Sequence, residues 1–313
     1  MKVSVCITVY NEERSISKLV ESLLRQSKKP DEIVIVDGGS GDKTVEIIRH
    51  FQKKDKRIKL LIEKCSRSRG RNLAVELAKN DIIAMTDAGC VPKRNWLENI
   101  TEPFKHKEVD IVAGFYTMKV SDSLQKAFSV FLGIHPKDFD INFLPSTRSV
   151  AFTKQAWEKI SGFLENLEDT AEDTVFNYKA LKLGLNISRM KNARVEWEMP
   201  KTFSDGIIKI YKYAKGDAKS RIWLYPSKGL ASHNIKALSI FARYILGISF
   251  IFLYLFKLVV LLVPLILVIL YILWSFRKVF LKTGDWIAGL WGILVQFTSD
   301  FAVMSGFLMG LRR

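Results

Sequence analysis

Four short polar clusters, three sitting directly after an apolar run, hold the side chains best suited to chemistry. Tyr10-Asn11-Glu12-Glu13 follows Val3 to Val9, and Asp37-Gly38-Gly39-Ser40-Gly41-Asp42 follows Ile33 to Val36. Arg67, Arg69 and Arg71 with Asn72 stand ahead of a further apolar stretch, and Asp87-Ala88-Gly89 follows Ile82 to Met85. Glycines let a backbone approach a ligand closely, carboxylates accept from a base N–H or from ribose hydroxyls, and guanidinium forks match diphosphate oxygens. Together the clusters describe a nucleotide-diphosphate site. Taken singly, Gly38 to Gly41 fit an ordinary turn into a helix equally well, and the arginines fit a solvated face.

The elements that must position these clusters follow from periodicity. Val3–Val9, Ile33–Val36, Leu60–Ile62 and Ile82–Met85 read as buried strands. Between them Ile16, Leu19, Val20, Leu23 and Leu24 recur at helical spacing, as do Val45, Ile47, Ile48 and Phe51, and a third helix is expected from Leu73 to Ala78. Strands alternating with amphipathic helices imply parallel βαβ units, and open α/β sheets take their ligands at the carboxyl ends of the strands. From about residue 100 to 200 the alternation loosens into a second half with mixed strands. Thr153 is expected to cap a helix through Trp157 and Ile160 that ends at Gly162. Thr170 is expected to cap another that carries Glu172 and Asp173 in its first turn and stops at Gly184.

Order as well as content now resembles family 2 glycosyltransferases with the GT-A fold. The matching residues are Val9-Tyr10-Asn11-Glu12-Glu13, Ile35 to Thr44, Gly70-Arg71-Asn72, Thr86-Asp87-Ala88-Gly89, Ser146 to Phe152 with Trp157 to Phe163, and Glu172-Asp173-Thr174 with Gly184 ten residues later. The resemblance covers roughly residues 3 to 200 and implies an α/β fold with a mixed, mainly parallel sheet. It implies that Tyr10, Glu12 and Asp37 hold the base and ribose of a nucleotide-diphosphate sugar, and that Arg71 meets the diphosphate. It places Asp87 at the first carboxylate of a D-x-D pair that binds a divalent cation, Mg²⁺ or Mn²⁺. Gly89 stands where the second carboxylate usually is, so Arg69, Arg71 or Arg148 is available to take leaving-group charge instead. Asp173, with Glu172 beside it, matches the general base of an inverting transfer. Its place in a first helical turn is expected to weaken that base. The Q-x-x-R-W motif of processive relatives is absent, which favours single transfer.

The 313 residues carry 48 Lys and Arg against 32 Asp and Glu, a net charge of +16 that attracts polyanions. Cys6, Cys65 and Cys90 are too widely spaced for a zinc site or a disulfide framework, and no secretory signal precedes Val3, so a reducing cytosol is expected for the catalytic part. The four histidines show no metal-ligand spacing, and Trp197 between Glu196 and Glu198 is a candidate for an acceptor cleft.

Residues 201 to 243 hold nine basic and two acidic side chains interleaved with aromatics, as expected of an interfacial helix or of a soluble helix with a solvated basic face. Tyr244 to Phe256 is uncharged, Lys257 interrupts, and Leu258 to Phe276 is a further uncharged run, so a transmembrane hairpin is expected over 237–276. Basic residues at both its ends favour a cytoplasmic base. Trp286 to Leu311 is apolar apart from Gln296 and Asp300 and fits either a third span or an interfacial helix.

The expected organisation is a catalytic domain over 1–200, with a nucleotide-binding half to about 100, then a basic segment over 201–236, the hairpin, and a last segment over 277–313. The expected partners are a nucleotide sugar, a lipid-linked or glycan acceptor and an anionic membrane surface. The expected location is the cell membrane, multi-pass, with the catalytic domain cytoplasmic. Transfer to a polyprenyl phosphate itself is the alternative within catalysis, and non-catalytic binding of a nucleotide sugar is the alternative outside it. Nucleic acid is disfavoured because the basic excess sits beside apolar spans and no recognised motif for it occurs.

Overall fold

The apolar runs of the first hundred residues form strands whose polar ends line up along one edge. The computed structural model describes residues 1–312 except 107, 168–169 and 258–259. In chain order it has β1 (Val3–Val9), α1 (Ile16–Leu24), β2 (Glu32–Asp37), α2 (Thr44–Lys54), β3 (Ile58–Ile62), α3 (Arg67–Leu77), β4 (Ile82–Met85), β5 (Cys90–Pro92), α4 (Trp96–Thr101) and β6 (Ile111–Lys119). There follow α5 (Ser123–Leu132), β7 (Val150–Thr153), α6 (Lys154–Ile160), α7 (Glu172–Lys182), β8 (Ile187–Glu198), α8 (Phe203–Ser220), α9 (His233–Leu255), α10 (Leu262–Thr283) and α11 (Trp286–Leu311).

Two compact units result. The first joins residues 1–119 with 136–198, and the second joins 120–135 with 199–313. One division between the units falls between residues 198 and 199. The excursion of 120–135 out of the first unit was not expected, because α5 is a short amphipathic helix whose partners lie far along the chain.

The first unit is built on an eight-stranded sheet in the order β3-β2-β1-β4-β7-β6-β8-β5. β1 runs parallel to β2 and β4, β2 to β3, and β6 to β8, whereas β7 is antiparallel to β4 and β6 and β5 to β8. This is the mixed, mainly parallel sheet of the GT-A type. β1 and β2 are buried along almost their whole length, as strands covered on both faces must be, so they read as continuous apolar runs. Val9 pairs with Asp37 and Asp37 with Ile62, which brings the ends of three neighbouring strands to one level.

Two helix starts differ from expectation. α3 begins at Arg67, not after Asn72, because Ser66 caps it by accepting from the Arg69 N–H. Its first two turns are charged or small, so apolar periodicity first becomes visible at Leu73. α7 begins at Glu172 with Ala171, in a left-handed conformation, at the cap position, so Thr170 lies one residue too early to cap it. Thr153 does cap α6, accepting from the Ala156 N–H, and Gly162 and Gly184 take left-handed conformations just beyond α6 and α7.

In the second unit the apolar face of α8 is not left for lipid. Gly206, Ile210, Ala214 and Ala218 are buried, Gly206 against the ring of Phe128 on α5. The G-x-x-x-G pair of α11 packs on α8: a Cβ added at Gly306 would stand 2.5 Å from the Tyr211 carbonyl oxygen, and one at Gly310 would stand 2.2 Å from that of Lys215. Small residues thus let two helix backbones meet. α9, α10 and α11 are each long and apolar enough to cross a membrane. The first two residues of the expected run Leu258–Phe276 lie outside the described residues.

Gly306→Val should lower the stability of the second unit by about 1–3 kcal/mol, since the obstructing atoms are backbone. Denaturant unfolding in detergent measures this, and an unchanged midpoint would mean that the contact is not close.

Candidate active site

The loops after β1 and β2 are laced into one frame. Asp37 is fully buried, and its carboxylate accepts from the N–H groups of Gly39 (3.0 Å) and Ser40 (2.8 Å) and from the Ser40 hydroxyl (2.5 Å). Asn11, left-handed at φ 53°, donates its N–H to the Ser40 hydroxyl (2.8 Å) and accepts from the Gly41 N–H through its side chain (2.9 Å). The Glu12 N–H donates to the Thr44 hydroxyl at 2.7 Å. Gly39, at φ 96°, is the position where this frame requires glycine. On its rim Tyr10 is 62% exposed, a large aromatic face with no protein covering most of it. Glu12 faces inward, and burial raises its pKa, with the charges of Arg67 and Asp87 within reach.

Beyond the frame, Arg71 gathers the carboxylates. It is 2% exposed and projects from the second turn of α3. Its Nη1 donates to Glu172 at the start of α7, and its Nη2 donates to Asp87 after β4 (2.8 Å) and to the Thr147 hydroxyl (2.9 Å). The guanidinium also lies over the ring of Phe163, 5.8 Å from its centroid. Burial works against this charge, but Glu172, Asp87 and Asp173 outweigh it and keep Arg71 protonated. Burial likewise pushes the Asp87 carboxyl up, and Arg71, Arg148 and Arg67 overcome that and hold it below its ordinary value.

Asp173 behaves in the opposite way. Burial and the adjacent Glu172 raise its pKa despite the pull of Arg148 and Arg71, so the weakening expected from a helix start is overridden by desolvation. Its carboxylate also accepts from the Thr174 N–H at 2.8 Å. Arg148 stacks on Trp197, 3.9 Å from the ring centroid, and on Tyr116 at 5.2 Å, while its Nη1 donates to the Ser146 hydroxyl. Trp197 is 5% exposed, so its ring carries Arg148 and is not an open platform.

Of the residues singled out in the sequence, Arg71, Asp87, Glu172, Asp173 and Arg148 therefore share one electrostatic cluster, and Glu12 borders it. Arg69 is not brought there: it turns toward Glu63, Glu76 and Glu165, within 3.9 Å of each. Thr147, Phe163 and Tyr116 were not picked out for a role. Thr147 and Phe163 lay within segments noted only for their resemblance, and Tyr116 sits in an ordinary apolar strand. A cleft of about 690 Å³ lies elsewhere, between Lys18, Arg25, Lys29, Arg94, Lys119 and Glu196, and none of the candidate residues lines it.

At Gly89 an added Cβ would meet no atom within 4 Å, so the position opposite Asp87 is open. No group of three or more ligating side chains exists among the described residues. The Asp87 side chain remains 30% exposed. A hard cation held here would have one protein carboxylate and would draw its other oxygens from substrate phosphates and water.

Comparison with known proteins bears on the family and the fold. Residues 4–157 match the family model described as Glycosyl transferase family 2. The chain is 30% identical over 116 residues to "Glycosyltransferase GlyG" of Streptococcus pneumoniae serotype 4, a match that covers 36% of this chain and 38% of that protein. It therefore spans less than half the length of this curated relative. Among solved structures, mannosyltransferase PcManGT from Pyrobaculum calidifontis, in complex with GDP-Man and Mn²⁺, superposes with a TM-score of 0.64 at 18% identity, over 95% of this chain and 87% of that one. S. aureus TarS 1–349 in complex with UDP gives 0.51 at 21% identity, over 69% and 65%. At these identities the likeness to the two structures is one of fold.

Arg71→Ala should cost about 3–5 kcal/mol of unfolding free energy, because it strands Glu172 and Asp87 without their cation. Urea unfolding measures it, and a cost below about 1 kcal/mol, the value of an exposed pair, would show that solvent reaches the cluster.

Proposed function

The chain carries a glycosyl transferase family 2 domain over residues 4–157, and from that premise we propose that it moves a single sugar, with inversion, from a nucleotide-diphosphate sugar to a lipid-linked or cell-surface glycan acceptor at the cytoplasmic face of a membrane. The observation that carries this reading is the meeting of Asp87, Glu172, Asp173 and Arg148 around the Arg71 guanidinium, beside the frame built on Asp37. Support for a diphosphate and a general base at one place comes from the Arg148 guanidinium near a carboxylate with raised proton affinity.

On this reading Tyr10 and Glu12 meet the base and ribose, and the buried Asp37 carboxylate holds the loop that frames them. Arg148, already fixed on Trp197, faces the diphosphate, while Arg71 acts through Asp87 and Glu172 by holding them in place. A divalent cation on Asp87, when bound, offsets charge on the departing nucleotide. Asp173 takes the proton of the acceptor hydroxyl as that oxygen attacks the anomeric carbon from the face opposite the leaving diphosphate. The raised pKa of Asp173 suits this work, since a stronger base accepts the proton earlier in the attack.

The membrane-length helices support the choice of acceptor. A soluble sugar would not require them, whereas a lipid-linked one is presented at the bilayer surface, where the basic side chains of 201–243 also meet anionic headgroups.

A panel of nucleoside diphosphates and their sugars, with and without Mg²⁺ or Mn²⁺, tests the donor by thermal shift, and product analysis with a lipid-linked acceptor tests the transfer. A selective shift together with a new sugar–sugar bond is the expected result. A sugar joined directly to a lipid phosphate would favour a polyprenyl-phosphate acceptor, and binding with neither transfer nor donor hydrolysis would leave a non-catalytic binder.

Asp173→Asn should lower the transfer rate by about 10²–10⁴-fold while preserving nucleotide binding. A carboxylate whose folded pKa is raised costs stability above that pKa and nothing below the unfolded value, so the same variant should melt no lower than the parent at pH 7. In the parent, kcat/KM should decline on acidification at a pH above the ordinary aspartate range, as Asp173 takes up its proton. A limb confined to that range would assign the base elsewhere.

A further inference from the structure

Three helices are long and apolar enough to cross a membrane, yet their surroundings within the second unit differ. None of the most apolar stretch of α9 is buried and 11% of that of α10 is, against 44% for α11. Large exposed apolar side chains are densest on one half of the α9–α10 pair, from Ile245 to Phe256 and from Val260 to Trp274, and they also line one face of α11.

α11 has protein along one face, while Trp286, Ile287, Leu290, Leu294, Phe301 and Leu308 are exposed along the other. Gly289 and Gly292 lie against Phe276 and Val279 of α10, and Gly306 and Gly310 meet the backbone of α8 at Tyr211 and Lys215. α8 bears Lys209, Lys212, Lys215 and Lys219 together with Asp205 and Asp217. Each such charge placed at the centre of a bilayer costs about 2.5–3.5 kcal/mol even on the most lenient scale. A helix in backbone contact with α8 cannot sink into hydrocarbon without drawing those charges in after it.

A polar collar marks where the apolar part of the pair begins. Asp300 of α11, 1% exposed, lies 2.9 Å from the Arg243 guanidinium of α9 and accepts from the Tyr244 hydroxyl (3.2 Å), the Tyr271 hydroxyl of α10 and the Gln296 amide (2.9 Å). Lys278 donates to the Gln296 carbonyl oxygen at 2.9 Å. Past the collar, α9 carries no charge until Lys257, a rise of about 21 Å at 1.5 Å per residue. The hydrocarbon core is about 30 Å thick. Arg243 and Lys257 can close the difference by extending their long side chains toward opposite headgroup layers.

We propose that only the α9–α10 hairpin enters the bilayer, that Lys257 at its tip reaches the far headgroups, and that α11 lies with α8 in the headgroup layer on the side from which the hairpin inserts. This rests on the membrane attachment proposed above. Both ends of the described chain then stand on one side, whereas a third span would separate them. The cations flanking the hairpin base, Lys236, Arg243, Arg277, Lys278 and Lys282, outnumber the lone Lys257 and direct that base to the cytoplasm.

The test uses full-length protein in sealed vesicles and a membrane-impermeant maleimide. Single cysteines are introduced by Lys2→Cys, Lys257→Cys and Arg312→Cys in a Cys65→Ser background, since Cys6 and Cys90 are buried. Retained sugar transfer shows that each variant folds. The expected result is that positions 2 and 312 react from the same face and position 257 reacts only from the other. Reaction of 312 from the face opposite 2 would overturn the proposal by making α11 a span. Reaction of 257 from the same face as 2, or from neither face, would overturn it by keeping the tip from crossing. Release of the protein by alkaline carbonate would instead defeat the attachment reading itself, so the two failures are distinguishable.

Discussion

A single buried guanidinium ties the site together. Arg71 joins α3 to the end of β4 through Asp87, to the segment ahead of β7 through Thr147, and to the start of α7 through Glu172. A charge that far from water is tolerable only with its partners in place, and those partners are two carboxylates that would themselves repel one another without it. The arrangement makes geometry and charge interdependent. Asp87 stays ionised because Arg71 is close, and Arg71 stays close because both carboxylates hold it. Asp173, one residue beyond Glu172, has the burial and the adjacent Glu172 charge, and these outweigh the pull of Arg148 and Arg71 and raise its proton affinity. One network therefore supplies a low-pKa and a high-pKa carboxylate side by side, which is how a site separates an anchoring role from a basic one.

Much of the first unit could be read from its sequence because β1 to β4 are short, continuous and apolar, with Asp37 and Asp87 at or just after strand ends. Long-range partners are what a linear pattern cannot show. Nothing in Thr147 announces a contact with residues 71 and 87, and nothing in Trp197 announces that Arg148 will lie on it. The beginning of α3 was hidden by Arg67, Ser68, Arg69 and Gly70, which carry no apolar period although Ser66 caps them well. Arg69 and Arg71 are adjacent odd positions in one run of text, yet helical rotation sends one to Glu63, Glu76 and Glu165 at the surface and the other into the core.

The second unit shows the opposite balance. Hydropathy marked the apolar runs that α9 to α11 contain, but it could not tell lipid-facing surface from surface covered by protein. The small residues make that difference. Gly206 accommodates an aromatic ring, and Gly306 and Gly310 allow α8 to approach, so a helix that looks membrane-bound by composition spends nearly half of its most apolar stretch on intramolecular packing. Asp300, the residue least suited to an apolar helix, is also the one most completely surrounded by donors.

The stacking of Arg148 on Trp197 and Tyr116 bears on how selective the proposed diphosphate site would be among anions. A flexible cation on a long stem adapts to ligands of many shapes but loses rotational freedom each time one binds. A planar fork stacked on Trp197 and near Tyr116 has surrendered much of that freedom during folding. It rewards oxygens that arrive at the right spacing and angle, and it gains less from chloride or from a carboxylate presented askew.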